Sequence, residues 1–310
     1  MSFADAPLHR SYLYAPGSEP RVMRKALDAG ADAVILDLED AVASSRKADA
    51  RAAVATLLNE LGDHGSSPSR RADAGPQTET PLPRRPAVHV RVNRDGHGYA
   101  LADLDAAIHS GVDAIRLPKT ESAVAVREVA DIISRLERER QLPAGRIRIY
   151  PTVESALGAV SIADVLTATP RVVRAAIGTA DLLADLGAHG EDDLATLHVR
   201  SHLVLASRVA GVGPPIDSVH TDLDDLTGLR VAAQRARSLG FFGKSAIHPR
   251  QLEAINAVFT PSEAEFTRAE RVVAALDDAD QRGSGALEVD GEFVDAAVVA
   301  RARALLALRR

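Results

Sequence analysis

The chain has 310 residues, with 37 Lys and Arg against 43 Asp and Glu, a formal net charge of −6, 3% aromatics and no Trp. That balance offers neither a broad phosphate-binding footprint nor aromatic platforms for bases, so nucleic acid is not expected as a partner. The absence of Cys excludes disulfides, thiolate metal sites and a Cys nucleophile. The N-terminal MSFADAPLHR lacks an apolar signal core and no run approaches the ~18 apolar residues of a membrane span, so a soluble, cytoplasmic protein with no membrane partner is expected.

Short β-rich runs alternate with helix-period segments. In chain order the expected strands are SYLYA (11–15), AVILD (33–37), VHVRV (88–92), AIRLP (114–118), RIYPTVE (148–154), VVRAAIG (172–178), PIDSV (215–219) and FFGKSAI (241–247). Between them, PRVMRKALDAG, ALADLDAAIHSG and SAVAVREVADIISRLERER space their apolar residues three and four apart, as amphipathic helices do. Glycines such as Gly30 and Gly111 stand where helix C-caps would fall.

Eight strands interleaved with helices predict an α/β fold, a (β/α)8 TIM barrel over residues 1–250. The competing fold is a doubly wound open sheet, whose GxGxxG signature is missing after the first strand. Residues 62–86, GDHGSSPSRRADAGPQTETPLPRRP, carry no apolar period and read as a flexible surface insertion. Residues 251–310 read as a C-terminal extension: a helix through ERVVAAL, a turn at RGSG, a short ALEVDGEF hairpin and a last helix in VVARARALLALRR.

In a barrel the C-terminal strand ends share one face, where barrel enzymes do their chemistry. Asp37 ends the second expected strand, with Glu39 and Asp40 beside it in LDLED. Arg91 lies near the end of the third, Lys119 follows the fourth, Glu154 ends the fifth and Asp181 follows the sixth. Taken singly, Asp37 or Asp181 could be a helix N-cap, Arg91 a rim salt bridge and Lys119 a solvated residue. Glu is a poor cap, so Glu154 fits the bland reading least. With no Cys and no evident His pair, zinc does not suit; two carboxylates suit a hard ion such as Mg2+, which keeps positions for water or substrate. An arginine beside it could grip a substrate carboxylate, a combination suited to stabilising an enolate or alkoxide.

RSYLYAPGSEP, GADAVILDLEDAV, VRVN, IRLPKTES, YPTVESALG, IGTADLLADLG and KSAIHPRQL, in that order, resemble the citrate lyase β-subunit-like proteins of the HpcH/HpaI aldolase superfamily from Arg10 to about Val299. The resemblance implies a barrel assembled as a homotrimer, Mg2+ held by Glu154 and Asp181, and Arg91 on the carboxylate of a small 2-keto acid. It also implies that Tyr14, Arg21, Lys25, Ile247 and His248 contact the CoA-bearing part of an acyl-CoA thioester. Arg21 and Lys25 are four apart, on one helix face, where they could meet phosphates or simply be solvated. Asp295, in VDGEFVDAAVV, matches an aspartate that reaches the active site of a neighbouring subunit, although the residues before it depart from the usual pattern; read without the family, it is an N-cap. Leu157 stands where many members have Arg, and Thr179-Ala180 where many have a Glu before the metal aspartate.

The expected activity is a Mg2+-dependent carbon–carbon lyase acting on a 3-hydroxyacyl-CoA of malyl- or citramalyl-CoA type, with Arg91 and Asp295 catalytic. Thioester hydrolysis could follow if water replaces the keto acid. Asp37, Glu39, Asp40 and Lys119 then support the site by orienting Arg91, waters or the ligands. The alternatives are a citrate lyase β subunit that uses an acyl-carrier-protein thioester within a complex, and a non-catalytic metabolite-binding barrel.

Overall fold

A computed structural model describes residues 8–65, 85–95, 98–188, 194–282 and 287–309. The chain forms two compact units, divided between Phe259 and Thr260. The first runs β1 (Ser11–Pro16), α1 (Pro20–Leu27), β2 (Ala33–Asp37), α2 (Lys47–Gly65), β3 (Ala87–Arg91), the two-residue strands β4 (Arg94–Asp95) and β5 (Gly98–Tyr99), α3 (Leu101–Ala107), β6 (Ala114–Leu117), α4 (Ala123–Glu139) and β7 (Arg148–Val153). It continues through α5 (Ala156–Val160), α6 (Ile162–Leu166), β8 (Ala176–Ile177), α7 (Thr179–Asp185), α8 (Leu194–Ala210), α9 (Leu226–Leu239), β9 (Lys244–Ala246) and α10 (Leu252–Phe259). The second unit holds α11 (Glu263–Arg282), the antiparallel pair β10 (Leu287–Val289) and β11 (Glu292–Val294), and α12 (Ala296–Leu306). Among the described residues no helix is long and apolar enough to cross a membrane.

The parallel strands pair in the order β1, β2, β3, β6, β7, β8, and β9 pairs with the free side of β1. Two residues of PIDSV close the ring. Ile216 bonds β8 through Ile216 N to Ala175 O (2.9 Å) and Ile177 N to Ile216 O (3.1 Å), while Asp217 N reaches Gly243 O (2.9 Å) and its carbonyl accepts from Ser245 N (3.0 Å). The seventh predicted strand position is therefore occupied by two bridging residues rather than by a ladder. Asp217 is fixed there by Lys244 Nζ and Arg200 Nη2, at 2.6 and 2.7 Å, in a buried ion triad.

A strand buried on both faces reads as a continuous apolar run, as β2 does. Val34 and Leu36 pack under the helices, whereas Ala33 and Ile35 join Tyr12, Ala114, Tyr150, Ala176 and Ile216 in the barrel interior. The helices begin where their caps lie: Pro20 opens α1, Ser122 Oγ accepts from Val124 N (3.2 Å), and Asp225 accepts from Gly228 N (2.8 Å).

Three expectations are corrected. Residues 62–65, placed in the insertion, continue α2, because Gly62 marks a close contact and not a helix stop: a Cβ there would lie 1.6 Å from Ser110 Oγ. Residues 66–84 of that segment lie outside the described residues. Gly111 is likewise no C-cap, since a Cβ there would fall 2.2 Å from the Leu58 carbonyl of α2. Finally, the first unit extends beyond residue 250, because α10 buries Leu252, Ile255 and Phe259 in the barrel's outer core.

One buried pair gives a stability prediction. Glu137 of α4 accepts both ends of the Arg171 guanidinium, at 3.0 and 2.6 Å, together with the N–H groups of Gly145 (2.9 Å) and Ile147 (3.0 Å). Burial alone would push its carboxyl up, but Arg171 and the two N–H groups outweigh burial and hold it below the usual carboxylate range. Glu137→Ala strands the Arg171 charge and is expected to cost about 3–5 kcal/mol at neutral pH by urea unfolding. Because the folded pKa is depressed, the contribution is complete above the ordinary 4.5 and is lost as pH falls through the folded value. The gap between wild type and variant should therefore narrow in acid; a gap that widens there would refute the assignment.

Candidate active site

The residues at the C-terminal ends of β1, β2, β3, β6 and β7 and at the start of α7 form one polar cluster. Asp37 closes β2 and pairs in strand register with Arg91 at the end of β3. Its carboxylate takes the arginine fork, with Arg91 Nε at 2.7 Å and Nη2 at 2.6 Å, and also accepts the N–H groups of Glu39 (2.9 Å) and Ala41 (3.0 Å). Arg91 Nη1 lies 2.9 Å from Glu39 Oε2 and 3.1 Å from Asp40 Oδ2. The guanidinium stacks over the Tyr14 ring, 4.9 Å from its centre. Burial alone would lower the Arg91 pKa; its bonds to Asp37 and the nearby Glu39 raise it, so the charge is permanent.

Lys119 links this group to the next. Its backbone is left-handed, φ 46°, a conformation that costs a non-glycine residue on the order of 1 kcal/mol and tends to be kept where it aims a group. There the Lys119 N–H donates to Glu154 Oε2 (2.7 Å), while Nζ reaches Glu39 Oε1 (3.0 Å) and lies 3.8 Å from Asp181 Oδ1. Glu154 directly follows β7 and is almost wholly buried. Burial pushes its carboxyl up to about 7, Glu39 and Asp181 push the same way, and the Lys119 N–H and Arg91 oppose them. Glu39 is also raised, by burial first and then by Asp40.

These donors fit a hard divalent ion. Among the described residues no cage of three or more metal-binding side chains exists. Glu154 and Asp181 instead offer carboxylate oxygens from two elements, the open set that Mg2+ takes when water and substrate complete its shell. Glu39 Oε2 is buried with only the Arg91 ion pair beside it, and burial together with Glu39 and Asp181 raises the Glu154 carboxyl, a crowding of acids that a cation would relieve.

The expected residues Tyr14, Asp37, Glu39, Asp40, Arg91, Lys119, Glu154 and Asp181 are thus brought together. Asp181 is no N-cap, for Gly178 caps α7 and Asp181 lies in its first turn. Arg21 and Lys25 stand on the exposed face of α1, and among the described residues no ion pair joins either to the acids. Ile247 and His248 follow β9 and are exposed; His248 Nδ1 accepts from Arg250 N (3.2 Å) and Gln251 Oε1 accepts from Ile247 N (2.9 Å), a helix-capping arrangement. Asp295, in the second unit, caps α12 by accepting from Val298 N (2.9 Å) and is otherwise exposed.

Sequence reasoning missed the brace behind LDLED. Lys47 Nζ donates to the carbonyls of Leu38 and Glu39, both at 2.7 Å, and to Asn93 Oδ1 (2.8 Å). Asn93 Nδ2 in turn donates to the Leu38 carbonyl (2.7 Å) and to buried Asp103 (2.5 Å). The only sequence signal was Asn93 in VRVN; nothing in the spacing ties Lys47 to carbonyls eight and nine residues earlier.

The sequence profile of HpcH/HpaI aldolase/citrate lyase matches residues 10–249. The citrate lyase subunit beta of Leuconostoc mesenteroides subsp. cremoris is 34% identical over 302 residues, 97% of this chain and 93% of that protein. A (3S)-malyl-CoA thioesterase of Cereibacter sphaeroides (strain ATCC 17029 / ATH 2.4.9) is 36% identical over 299 residues, 96% and 93% of the two chains. Among solved structures, protein CitE from Mycobacterium tuberculosis in complex with magnesium, acetoacetate and coenzyme A superposes with a TM-score of 0.70 at 31% identity, over 98% of each chain.

Proposed function

The chain belongs to the HpcH/HpaI aldolase/citrate lyase family, and from that premise we propose that it is a Mg2+-dependent carbon–carbon lyase. Its substrate would be a 3-hydroxyacyl-CoA of malyl- or citramalyl-CoA type, cleaved to, or formed from, a small 2-keto acid and an acyl-CoA. The observation that carries this reading is the buried Glu154 carboxyl beside Asp181, with Arg91 held ready by Asp37. The relatives support it, since they include a (3S)-malyl-CoA thioesterase and a CitE bound to magnesium, acetoacetate and coenzyme A.

Glu154 and Asp181 would hold the ion, which supplies Lewis-acid polarisation of the substrate hydroxyl and neutralises charge at the keto-acid carboxylate. The chain's own groups do the rest. Asp37 occupies one edge of the Arg91 fork, so Arg91 would meet the substrate carboxylate with its remaining Nη2 hydrogen and its positive field. The Lys119 N–H keeps Glu154 aimed. In cleavage the hydroxyl would give its proton to a solvent water, the electron pair of the carbon–carbon bond would pass to the acyl-CoA α-carbon, and the keto-acid carbonyl would form. Asp295, contributed by a neighbouring copy in a homotrimer, would return a proton to that carbon. Arg21 and Lys25 would meet CoA phosphates, with Tyr14, Ile247 and His248 along the thioester arm.

The test is a panel of malyl-, methylmalyl-, citramalyl- and citryl-CoA with Mg2+, reading released keto acid. At least one thioester is expected to be cleaved by the wild type, and Glu154→Gln to lose about a thousandfold in kcat, the scale of several kcal/mol of charge stabilisation. Failure on every thioester would sink the reading. A second reading is favoured by the 34% identity to a citrate lyase subunit beta over nearly the whole chain; it predicts turnover of an acyl-carrier-protein citryl thioester and poor use of free citryl-CoA.

A further inference from the structure

Arg116 lies inside the barrel with 1% of its surface exposed. It stands on β6 in strand register with Arg91 of β3 and Tyr150 of β7, so the three project from the same face of the sheet. Its guanidinium lies over the Tyr12 and Tyr150 rings, 4.7 and 5.1 Å from their centres. Yet Nε and Nη2 have no hydrogen-bond partner, and among the described residues no carboxylate pairs with the group. Arg174, which precedes β8 toward the opposite end of the barrel, is different: it donates to Tyr12 Oη (2.6 Å), to the Pro214 carbonyl (2.7 Å) and to the Phe242 carbonyl.

A buried guanidinium without an anion is costly, and aromatic faces repay only part of that cost. Burial works against its charge while Tyr14, Tyr12 and Tyr150 support it; the carboxylates that could draw on that charge stand at the mouth. Tyr14, stacked on Arg91, lies in the fields of Arg91, Arg116, Asp37 and Glu154 alike. Five carboxylates there, Asp37, Glu39, Asp40, Glu154 and Asp181, face two cations, Arg91 and Lys119. Arg116, in strand register with Arg91, adds a further positive charge beneath this acid-rich mouth.

We propose that Arg116 is a specificity-determining residue: an uncompensated cation beneath the site that offsets the acid excess of the mouth and admits carboxylate-bearing substrates, its contribution rising with the charge of the keto acid. The proposal rests on the lyase reading above for its metal and its substrate class. It acts through field and not through contact, so its signature is charge discrimination.

The experiment compares wild type, Arg116→Met and Arg116→Lys by calorimetric titration of the Mg2+-loaded protein with oxaloacetate and with pyruvate. Removing the charge is expected to weaken pyruvate about tenfold and oxaloacetate more, the scale of one charge–charge interaction in a protein interior. The lysine variant should restore most of the difference. Arg116→Met should also melt no lower than wild type, since it removes an unpaired buried charge; a structural pillar would give a lower melting point and unchanged discrimination. Arg116→Gln gives the same readout if the methionine variant does not fold. A third arm uses sulfate in place of the keto acid, at constant ionic strength and with Mg2+ present: it should stabilise wild type more than the neutral variants. Equal keto-acid binding, or an equal sulfate response, overturns the inference even if thioester cleavage is found. A sulfate response that depends on Arg116 in a protein binding no keto acid sustains the anion-attracting charge and sinks the lyase reading instead.

Discussion

Gly178→Ala is expected to silence the site by about a thousandfold in kcat without removing a single polar group. A Cβ at residue 178 would lie 2.4 Å from Glu154 Oε1 and 2.5 Å from its Cγ, distances that two unbonded atoms do not share. The Glu154 side chain must therefore leave its position, breaking its 2.7 Å bond from the Lys119 N–H. The backbone at Gly178 has φ −110°, which alanine adopts freely, so the fold itself should be spared. The check is paired: circular dichroism and melting near wild type, with Mg2+ affinity and turnover lost together. If turnover survives, the Glu154 position described here is not the working one.

The second large effect falls on Asp37. Asp37→Ala removes the acceptor of four hydrogen bonds: two from Arg91 and one each from the backbone N–H groups of Glu39 and Ala41. It also leaves a buried arginine without its bidentate partner, a loss of about 3–5 kcal/mol in stability. Keto-acid binding should fall with it, because Arg91 is no longer held over Tyr14. The double variant D37A/R91M separates the two consequences. It is expected to regain part of the stability, since the buried arginine charge is gone and Glu39 keeps Lys119, and none of the binding. A double variant as unstable as the single one would place the loss in the turn after β2 and not in the ion pair.

What the sequence disclosed follows from how local each feature is. β2 was legible because a run of four apolar residues, Ala33 to Leu36, between turns has few other uses, and Glu154 because a carboxylate directly after a buried strand has no simple capping role. Ile216 and Asp217 were expected as a full strand; after Pro214 and Pro215, which lack N–H donors, only two residues bridge the neighbouring strands. Gly111 was misread for a related reason. A glycine that ends a helix and one that admits the Leu58 carbonyl look identical in one dimension, and only the contact with α2 distinguishes them. Gly178, Lys47 and Arg116 act through residues distant in the chain or on neighbouring strands, so no periodicity announces them. The roles of Arg21, Lys25, Ile247, His248 and Asp295 rest on family resemblance, and their test is functional.

The pairing of β1 with β9 has a consequence for how the protein is made. Leu13 meets Ala246 across that seam, so the earliest strand of the barrel to be synthesised waits for almost the last before its second edge is covered. During that interval SYLYA exposes unpaired N–H and carbonyl groups beside apolar side chains, the kind of edge that recruits strands from other nascent chains. The Lys244–Asp217–Arg200 triad sits at this joint and draws charge from three late segments. The barrel is fastened where it is completed last.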